Sequence, residues 1–486
     1  MTERSHVDRS TAWVAAASVV AGVLDAVSTI LCLQIGVTTA ELGAATLAIA
    51  LFPIVDRLGG MGLIAATVRE HEPDRDTLST IWWLGLGIAV VLTGALVAAR
   101  PLVANAFPEP IVATMLIAYS ARLAVRHVSV VPEALLKREL RYRELSIVQV
   151  AGAFAEIAVK LGFAYLGVRG HRELTIWSFV LGPIANGLVT TIGTLLYHPW
   201  RPRLVFRRDV AGRVLRFVIP VSGGELLYFA YTNADYLVIG AYFGENAVGV
   251  YRVAYELVLD VVRLLSMVTT EVAFPIFARF ANDRIAVAAH LLRFTRQNLI
   301  VLAVFLGFIG IEADDLLALL FRVRSPEAAT IARVMCIVGA VRTLGFILPA
   351  LLAGVGAASR VLVYNAIAAV VMPVSFVIAA ELAPEYSCVA IAWAWAIGYP
   401  IAFAALLAMA LPHAHLGFGR YLRGLSGIVV CAAGTIASGL LARAVLPDHE
   451  VIRVVGAAAV MVASYGVLLA RIERVTIASV VRSLRS

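Results

Sequence analysis

Charge is what this 486-residue chain has least of. Asp, Glu, Lys and Arg make up 15% of it, against 61% hydrophobic residues, whereas a soluble domain carries about a quarter charged residues. With a mean hydropathy of +0.89, a soluble globular chain is excluded. Lysine occurs only at Lys137 and Lys160; every other basic side chain is arginine. The four cysteines, Cys32, Cys336, Cys388 and Cys431, all fall in apolar runs and form no CxxC, so neither a disulfide framework nor a cysteine metal site is expected. GxxxxGK[ST], HExxH and GxSxG are absent, which removes the signature of an ATP-driven pump and of the enzymes that carry these motifs. Long polar connections are missing too, so no soluble domain is inserted.

What fills the chain is apolar length. Only helices and closed barrels satisfy their backbone hydrogen bonds inside a bilayer, and a helix needs about 20 apolar residues to cross. The runs are continuous rather than alternating, so helices are expected. Fourteen spans are predicted: 12–36, 40–66, 78–99, 110–131, 145–168, 174–197, 213–240, 246–270, 297–320, 327–353, 359–380, 386–410, 421–446 and 451–470. The first run is too long for a cleaved signal peptide and lacks its small-residue site. The longest connection, about 272–296, reads as a surface helix or a helix extension. The fold class is an all-α polytopic membrane protein.

The formal charge of +8 is spread through the loops, so it sets topology rather than marking a nucleic-acid partner. With the N-terminus cytoplasmic, the inner side collects Lys137, Arg138, Arg141 and Arg143. It also takes the arginines between 201 and 213 and between 279 and 296, with Arg420 and Arg423. The outer side holds Arg100, Arg169, Arg172, Arg322, Arg324, Arg443 and Arg453. Positive-inside bias then places both termini in the cytoplasm. A weak repeat relates Glu41-Leu42-Gly43 with Ala48 to Ala247-Val248-Gly249 with Ala254. Its offset suggests two six-helix lobes, 1–200 and 201–410, related by an axis along the membrane normal, with helices 13 and 14 and a basic tail in 411–486. In transporters built this way the substrate site lies between the halves.

Ionisable residues at mid-span are costly and mark function unless paired. Arg252, Glu256, Asp260 and Arg263 are spaced i, i+4, i+8 and i+11, on one face; pairing of Arg252 with Glu256 and of Asp260 with Arg263 is compatible with a cavity lining. Arg122 and Arg126 lie one turn apart with no acid before Glu133. Their forked guanidiniums suit a phosphate or pyrophosphate; the alternative is snorkelling, or pairing with Asp56 or Glu156. Glu156 and Lys160 have a self-pairing spacing, which leaves Lys160 either a cavity cation or a structural partner. Arg342 lies deeper in its span than Arg333, on nearly the opposite face. Asp25 has no obvious local partner, so it is either a proton or sodium site or half of a salt bridge to an arginine. Glu225 and Asp235 raise the same question in the second half, with Asp235 near the outer end and open to hydration.

The stretch Asn233-Ala-Asp-Tyr-Leu-Val-Ile-Gly-Ala-Tyr-Phe-Gly244, continuing Ala247-Val-Gly-Val-Tyr-Arg-Val-Ala-Tyr255, resembles the N-x-D-x-x-x-I-G-x-x-x-G…x-x-G-x-Y-x-x-A pattern of polysaccharide flippases. So do Val131-Pro-Glu-Ala-Leu-Leu-Lys-Arg-Glu-Leu-Arg-Tyr-Arg143 and Val55-Asp-Arg-Leu-Gly-Gly-Met-Gly62. These features are similar to the polysaccharide-transporter branch of the multidrug/oligosaccharidyl-lipid/polysaccharide exporter superfamily. The resemblance implies fourteen helices in two lobes, a cationic cavity, and flipping of undecaprenyl-pyrophosphate-linked oligosaccharide across the bacterial plasma membrane, for surface polysaccharides such as O-antigen or exopolysaccharide. It implies no cofactor. It leaves open H+ or Na+ coupling, with Asp25 the favoured carboxylate, and leaves a polymerase or glycosyltransferases as partners of a monomer. The heavy load of acids at Glu225, Glu256 and Asp260 departs from the cationic pattern.

The rivals are a multidrug/cation antiporter and a lipid II flippase of the same superfamily and, from another class, a membrane-embedded glycan enzyme or a non-transporting scaffold. The arginine pair separates the first. Arg122→Ala or Arg126→Ala is expected to impair transport without loss of folded protein, with Lys rescuing only partly because the fork is lost. Normal flipping by the folded double alanine variant would remove the anion site.

Overall fold

The computed structural model describes residues 2–59, 61–70, 73–106 and 111–473, and among these every regular element is helical. In chain order they are α1 (Thr2–Ile35), α2 (Thr39–Gly59), α3 (Met61–Arg69), α4 (Arg75–Ala106), α5 (Ile111–Val128), α6 (Val130–Arg138), α7 (Tyr142–Val168), α8 (Glu173–Tyr197) and α9 (Arg208–Tyr255). A π turn, Glu256–Asp260, leads into α10 (Val261–Arg279), α11 (Arg284–Phe321), α12 (Pro326–Gly345), α13 (Ile347–Gly354), α14 (Ala358–Leu382) and α15 (Cys388–Ala410). The chain then runs through α16 (Phe418–Arg423), α17 (Ser426–Val445) and α18 (Glu450–Leu468). Two compact units divide it, Met1–Arg252 and Val253–Ser486. In the first, α7 packs on α1 and α8, and α5 on α2, α4 and α8; in the second, α12 packs on α11 and α15, and α11 on α17 and α18.

Among the described residues, ten helices are long and apolar enough to cross a membrane, and α2 adds a shorter apolar stretch at Thr39–Ala50. These do not by themselves establish the count of fourteen. The expected span 40–66 is carried by two helices, α2 and α3. The expected spans 213–240 and 246–270 fall in α9, the π turn and α10, which carry Arg216, Glu225, Asp235, Arg252, Glu256, Asp260 and Arg263. The 272–296 connection is helix extension on both sides of a short turn at 280–283. All four cysteines are buried thiols outside any disulfide.

Helix starts follow side-chain chemistry. Asp283 accepts from the Ile285 and Ala286 N–H groups at 3.1 and 3.0 Å, and Ser325 accepts from Ala328 N–H before Pro326 opens α12, both N-caps of the expected kind. Ahead of α4, Asp74 accepts from Thr77 N–H at 2.9 Å. Hydrogen bonds from Thr77 hold its carboxyl below the usual carboxylate range.

Two helices are broken. Within α9, Gly244 has φ 80° and ψ 177°, a conformation open to glycine and closed to most residues. Within α11, Glu312 departs from helical geometry. Breaking a helix frees carbonyls, which in a membrane must find a donor. Arg443 of α17 donates to the Ile311 carbonyl oxygen and to Glu312 Oε2, while Arg453 of α18 pairs with Asp315 at 2.8 Å. Two arginines assigned to an outer loop thus neutralise the acids of the break.

The two repeated glycines meet. A β-carbon on Gly43 would stand 1.7 Å from the Glu245 carbonyl oxygen and 2.8 Å from Gly249 N, and one on Gly249 would stand 1.8 Å from the Thr39 carbonyl oxygen. Thr39 Oγ1 bonds to Asn246 Oδ1 at 2.8 Å beside them. Backbone lies on backbone here, as at small-residue helix crossings in membranes. Gly249→Val is expected to cost at least the ~1–3 kcal/mol typical of overpacking, read as a lowered melting temperature in detergent, whereas Gly87→Ala, where a β-carbon meets nothing within 4 Å, should be neutral.

Candidate functional site

A lysine inside the first unit organises the site. Lys160 on α7 is 5% exposed, and an isolated buried ammonium is prohibitive. Its Nζ donates to Ser28 Oγ at 2.8 Å and Thr29 Oγ1 at 3.1 Å, lies 3.6 Å from Asp25 Oδ1 and sits 4.9 Å from the centre of the Phe179 ring. Asp25, Ser28 and Thr29 occupy neighbouring turns of α1, so one helix face supplies both counter-charge and hydroxyls. The partner of Asp25 is therefore a lysine rather than an arginine. The i, i+4 spacing of Glu156 and Lys160 does not produce their ion pair: Lys160 goes to Asp25, and Glu156 Oε2 accepts from Asn186 Nδ2 of α8 at 2.9 Å.

These groups line a cavity of about 190 Å³. Asp25 and Thr29 come from α1, Thr46 from α2, Tyr119 from α5, Glu156 and Lys160 from α7, Phe179 and Pro183 from α8, and Asn233, Tyr236 and Arg252 from α9. Arg252 Nη1 donates to Tyr236 OH at 3.3 Å, with its guanidinium 6.0 Å from the Tyr236 ring centre. Two carboxyls, two cations, hydroxyls, an amide and aromatic faces converge on one space. Among the described residues, no group of three or more His, Cys, Asp or Glu could hold a metal ion.

The other candidate residues are distributed around this centre or elsewhere. Arg122 adjoins it through Tyr119, donating from Nη1 to the hydroxyl at 3.3 Å. Arg126, one turn on, is half-buried on α5 and is not part of the lining. The side chain of Asp56 lies outside the described residues. Asp235 is fully buried rather than hydrated; it accepts from Tyr236 N–H and Tyr251 OH, each at 2.9 Å. Glu225 is exposed on α9.

In the second unit Glu256 is buried, and Asp260 pairs with Arg263 at 3.3 Å, the local pairing that spacing allowed. Arg342 is buried, donates to Tyr255 OH at 3.1 Å and lies over the rings of Trp395, Phe346 and Tyr399. Such cation–π contacts offset part of its desolvation. Arg333 is on the exposed side and pairs with Asp314.

Sequence reasoning did not single out Thr29, Thr46, Tyr119, Phe179, Asn186 or Tyr236 as site residues. The available signal was polar or aromatic side chains on the same helix faces as the charges, for example Thr29 one turn after Asp25.

The two ends of the Lys160–Asp25 pair differ in burial: Asp25 is 60% exposed and Lys160 nearly enclosed. Asp25→Asn, which strips the buried ammonium of its counter-charge, should therefore cost more than Lys160→Met. The expected gap is about 1–2 kcal/mol, below the roughly 3–5 kcal/mol for breaking a fully buried pair, with the double variant near wild type. Thermal unfolding of the three variants decides it; equal losses for both single changes would contradict the asymmetry.

Residues 37–321 match the family described as polysaccharide biosynthesis protein, more than half of the chain. Three curated relatives are similar to it. The lipopolysaccharide biosynthesis protein WzxC of Escherichia coli K12 is 22% identical over 63% of this chain and 61% of the relative. The teichuronic acid biosynthesis protein TuaB of Bacillus subtilis is 24% identical over 58% of each. The succinoglycan biosynthesis transport protein ExoT of Rhizobium meliloti is 24% identical over 58% of this chain and 56% of the relative. The chain spans about three-fifths of the length of these relatives. In three dimensions it matches the inward closed lipid II flippase MurJ with TM-score 0.75 at 13% identity, over 94% of this chain and 97% of that one. It also matches an inward-facing multidrug resistance MATE family transporter of the MOP superfamily with TM-score 0.61 at 15% identity, over 84% and 95%. With spans, fold and matched residues in agreement, this chain belongs to the polysaccharide biosynthesis protein family and carries the fold of the multidrug/oligosaccharidyl-lipid/polysaccharide exporters.

Proposed function

We propose that the chain is a flippase carrying an undecaprenyl-pyrophosphate-linked oligosaccharide from the inner to the outer leaflet of the bacterial plasma membrane by alternating access. The observation that carries this reading is the cavity, where Lys160 and Arg252 face hydroxyls, an amide and aromatic rings on apolar helices. Guanidinium and ammonium groups suit the pyrophosphate. Tyr119, Phe179 and Tyr236 offer ring faces, and Thr46 and Asn233 offer polar partners, to the glycan. The polyprenyl tail stays in the bilayer.

Charge balance suggests the sequence of events. At rest Asp25 neutralises Lys160. An incoming pyrophosphate competes with Asp25 for the ammonium, and a proton or sodium ion taken up by Asp25 would compensate the displaced carboxylate. The cavity of about 190 Å³ is smaller than the roughly 300 Å³ at which ordinary ligand pockets begin, so passage of a glycan requires it to open. A multidrug/cation antiporter would keep its acids for its cargo; the occupation of Asp25 by Lys160, with Arg252 on the same cavity, favours an anionic one. Both termini lie in the cytoplasm in this reading, the protein acts as a monomer, and enzymes that build or polymerise the glycan are its functional partners.

Proteoliposomes loaded with a labelled undecaprenyl-pyrophosphate oligosaccharide test the proposal. Transfer between leaflets should exceed protein-free vesicles, fall about tenfold or more in Arg252→Ala, as expected when a charge-assisted contact worth about 1.5–3 kcal/mol is lost, and respond to a proton or sodium gradient through Asp25. Folded protein that moves none of several glycans, or an unaffected Arg252→Ala, would overturn it.

A further inference from the structure

A cavity in the second unit is unlike the site just described. It measures about 770 Å³ and is lined almost wholly by apolar side chains, among them Leu344 of α12, Pro400 and Leu407 of α15, and Phe418 and Leu422 of α16. That volume lies within the range of pockets that hold a small organic ligand, roughly 300–1,000 Å³. Its floor is covered, but Ala404, Ala408, Phe418 and Leu422 are exposed along its mouth, so it opens sideways as a groove.

The charge is confined to one end. The turn after α15 places His415, in the left-handed conformation at φ 46°, and Gly417 in the lining. Arg420 folds back over this end, its Nε 4.0 Å from where a β-carbon on Gly417 would stand. Arg360, exposed at the start of α14, donates to the Met409 carbonyl oxygen of α15 at 3.1 Å. Arg423 is exposed on α16. All of these belong to connections that positive-inside bias assigns to the cytoplasm; the sequence from 386 to 447 carries no acidic residue, and Glu473, whose carboxylate comes up to Gly427, pairs with Arg296.

An apolar slot with a basic rim fits a molecule with a hydrocarbon chain and an anionic head. We infer that the groove is a binding site for an anionic phospholipid of the cytoplasmic leaflet, one acyl chain seated between α12, α15 and α16 and the phosphate held by Arg420, Arg360 and His415. A bilayer would fill any apolar groove with lipid; the basic end is what makes this site selective for negative head groups, which are concentrated in that leaflet. The α14–α16 elements at this end would then be tied to the membrane surface through a bound lipid, independently of whether the first-unit cavity carries a glycan.

Native mass spectrometry of the detergent-purified full chain tests this after exchange into equal amounts of phosphatidylglycerol and phosphatidylcholine with identical acyl chains. Phosphatidylglycerol should be retained under activation that strips phosphatidylcholine. Arg420→Gln, at an exposed position, should weaken that retention about fivefold, the effect of one basic residue at an anionic surface. Ala408→Trp, which fills the groove from its exposed mouth, should abolish it, with size-exclusion profiles confirming that both variants remain folded. Equal retention of the two lipids, unchanged binding in both variants, or displacement of phosphatidylglycerol by stoichiometric undecaprenyl phosphate would each overturn the assignment.

Discussion

The cavity of the first unit is arranged around the cost of an ammonium in hydrocarbon. A charge at the centre of a bilayer is expensive on every scale, and Lys160 meets that cost with a carboxylate, two hydroxyls and an aromatic face. Those partners come from α1 and α8, so the charge also ties α7 to both neighbours. Because Asp25 remains largely open, the proposed function would let an entering anion take over its role. A fully enclosed pair would be structural and nothing more.

The same rule explains the second unit by a different route. There the break in α11 at Glu312 is stabilised by Arg443 and Arg453 from α17 and α18, and Arg342 rests among aromatic rings and the Tyr255 hydroxyl. The final two helices therefore contribute charges that complete a neighbouring broken helix. Glycine supplies the complementary constraint in the first unit, where Gly43 and Gly249 let backbone touch backbone. The weak repeat in the sequence contains the two glycines whose lack of a side chain permits this contact.

Legibility followed sequence distance. The pairing of Asp260 with Arg263 is three residues long and could be read from helical spacing alone. The spacing of Glu156 and Lys160 was just as suggestive, yet their partners lie on other helices, Asn186 thirty residues away and Asp25 on α1. Asp235 near an apparent span end pointed to water, but Tyr251 and the Tyr236 amide enclose it. Arg122 and Arg126 looked equivalent one turn apart; Arg122 donates to the cavity residue Tyr119, while neither guanidinium is in the cavity lining itself.

By itself the sequence determined the solvent of this protein, its helical class and its family resemblance. Those properties follow from apolar length and local periodicity, which a linear chain displays directly. Which charges face a cavity and which cancel one another was decided only in the tertiary structure. That depends on the rotation of each helix about its axis, and packing against several neighbours sets it, with small residues where backbones touch and polar partners where charges must be matched.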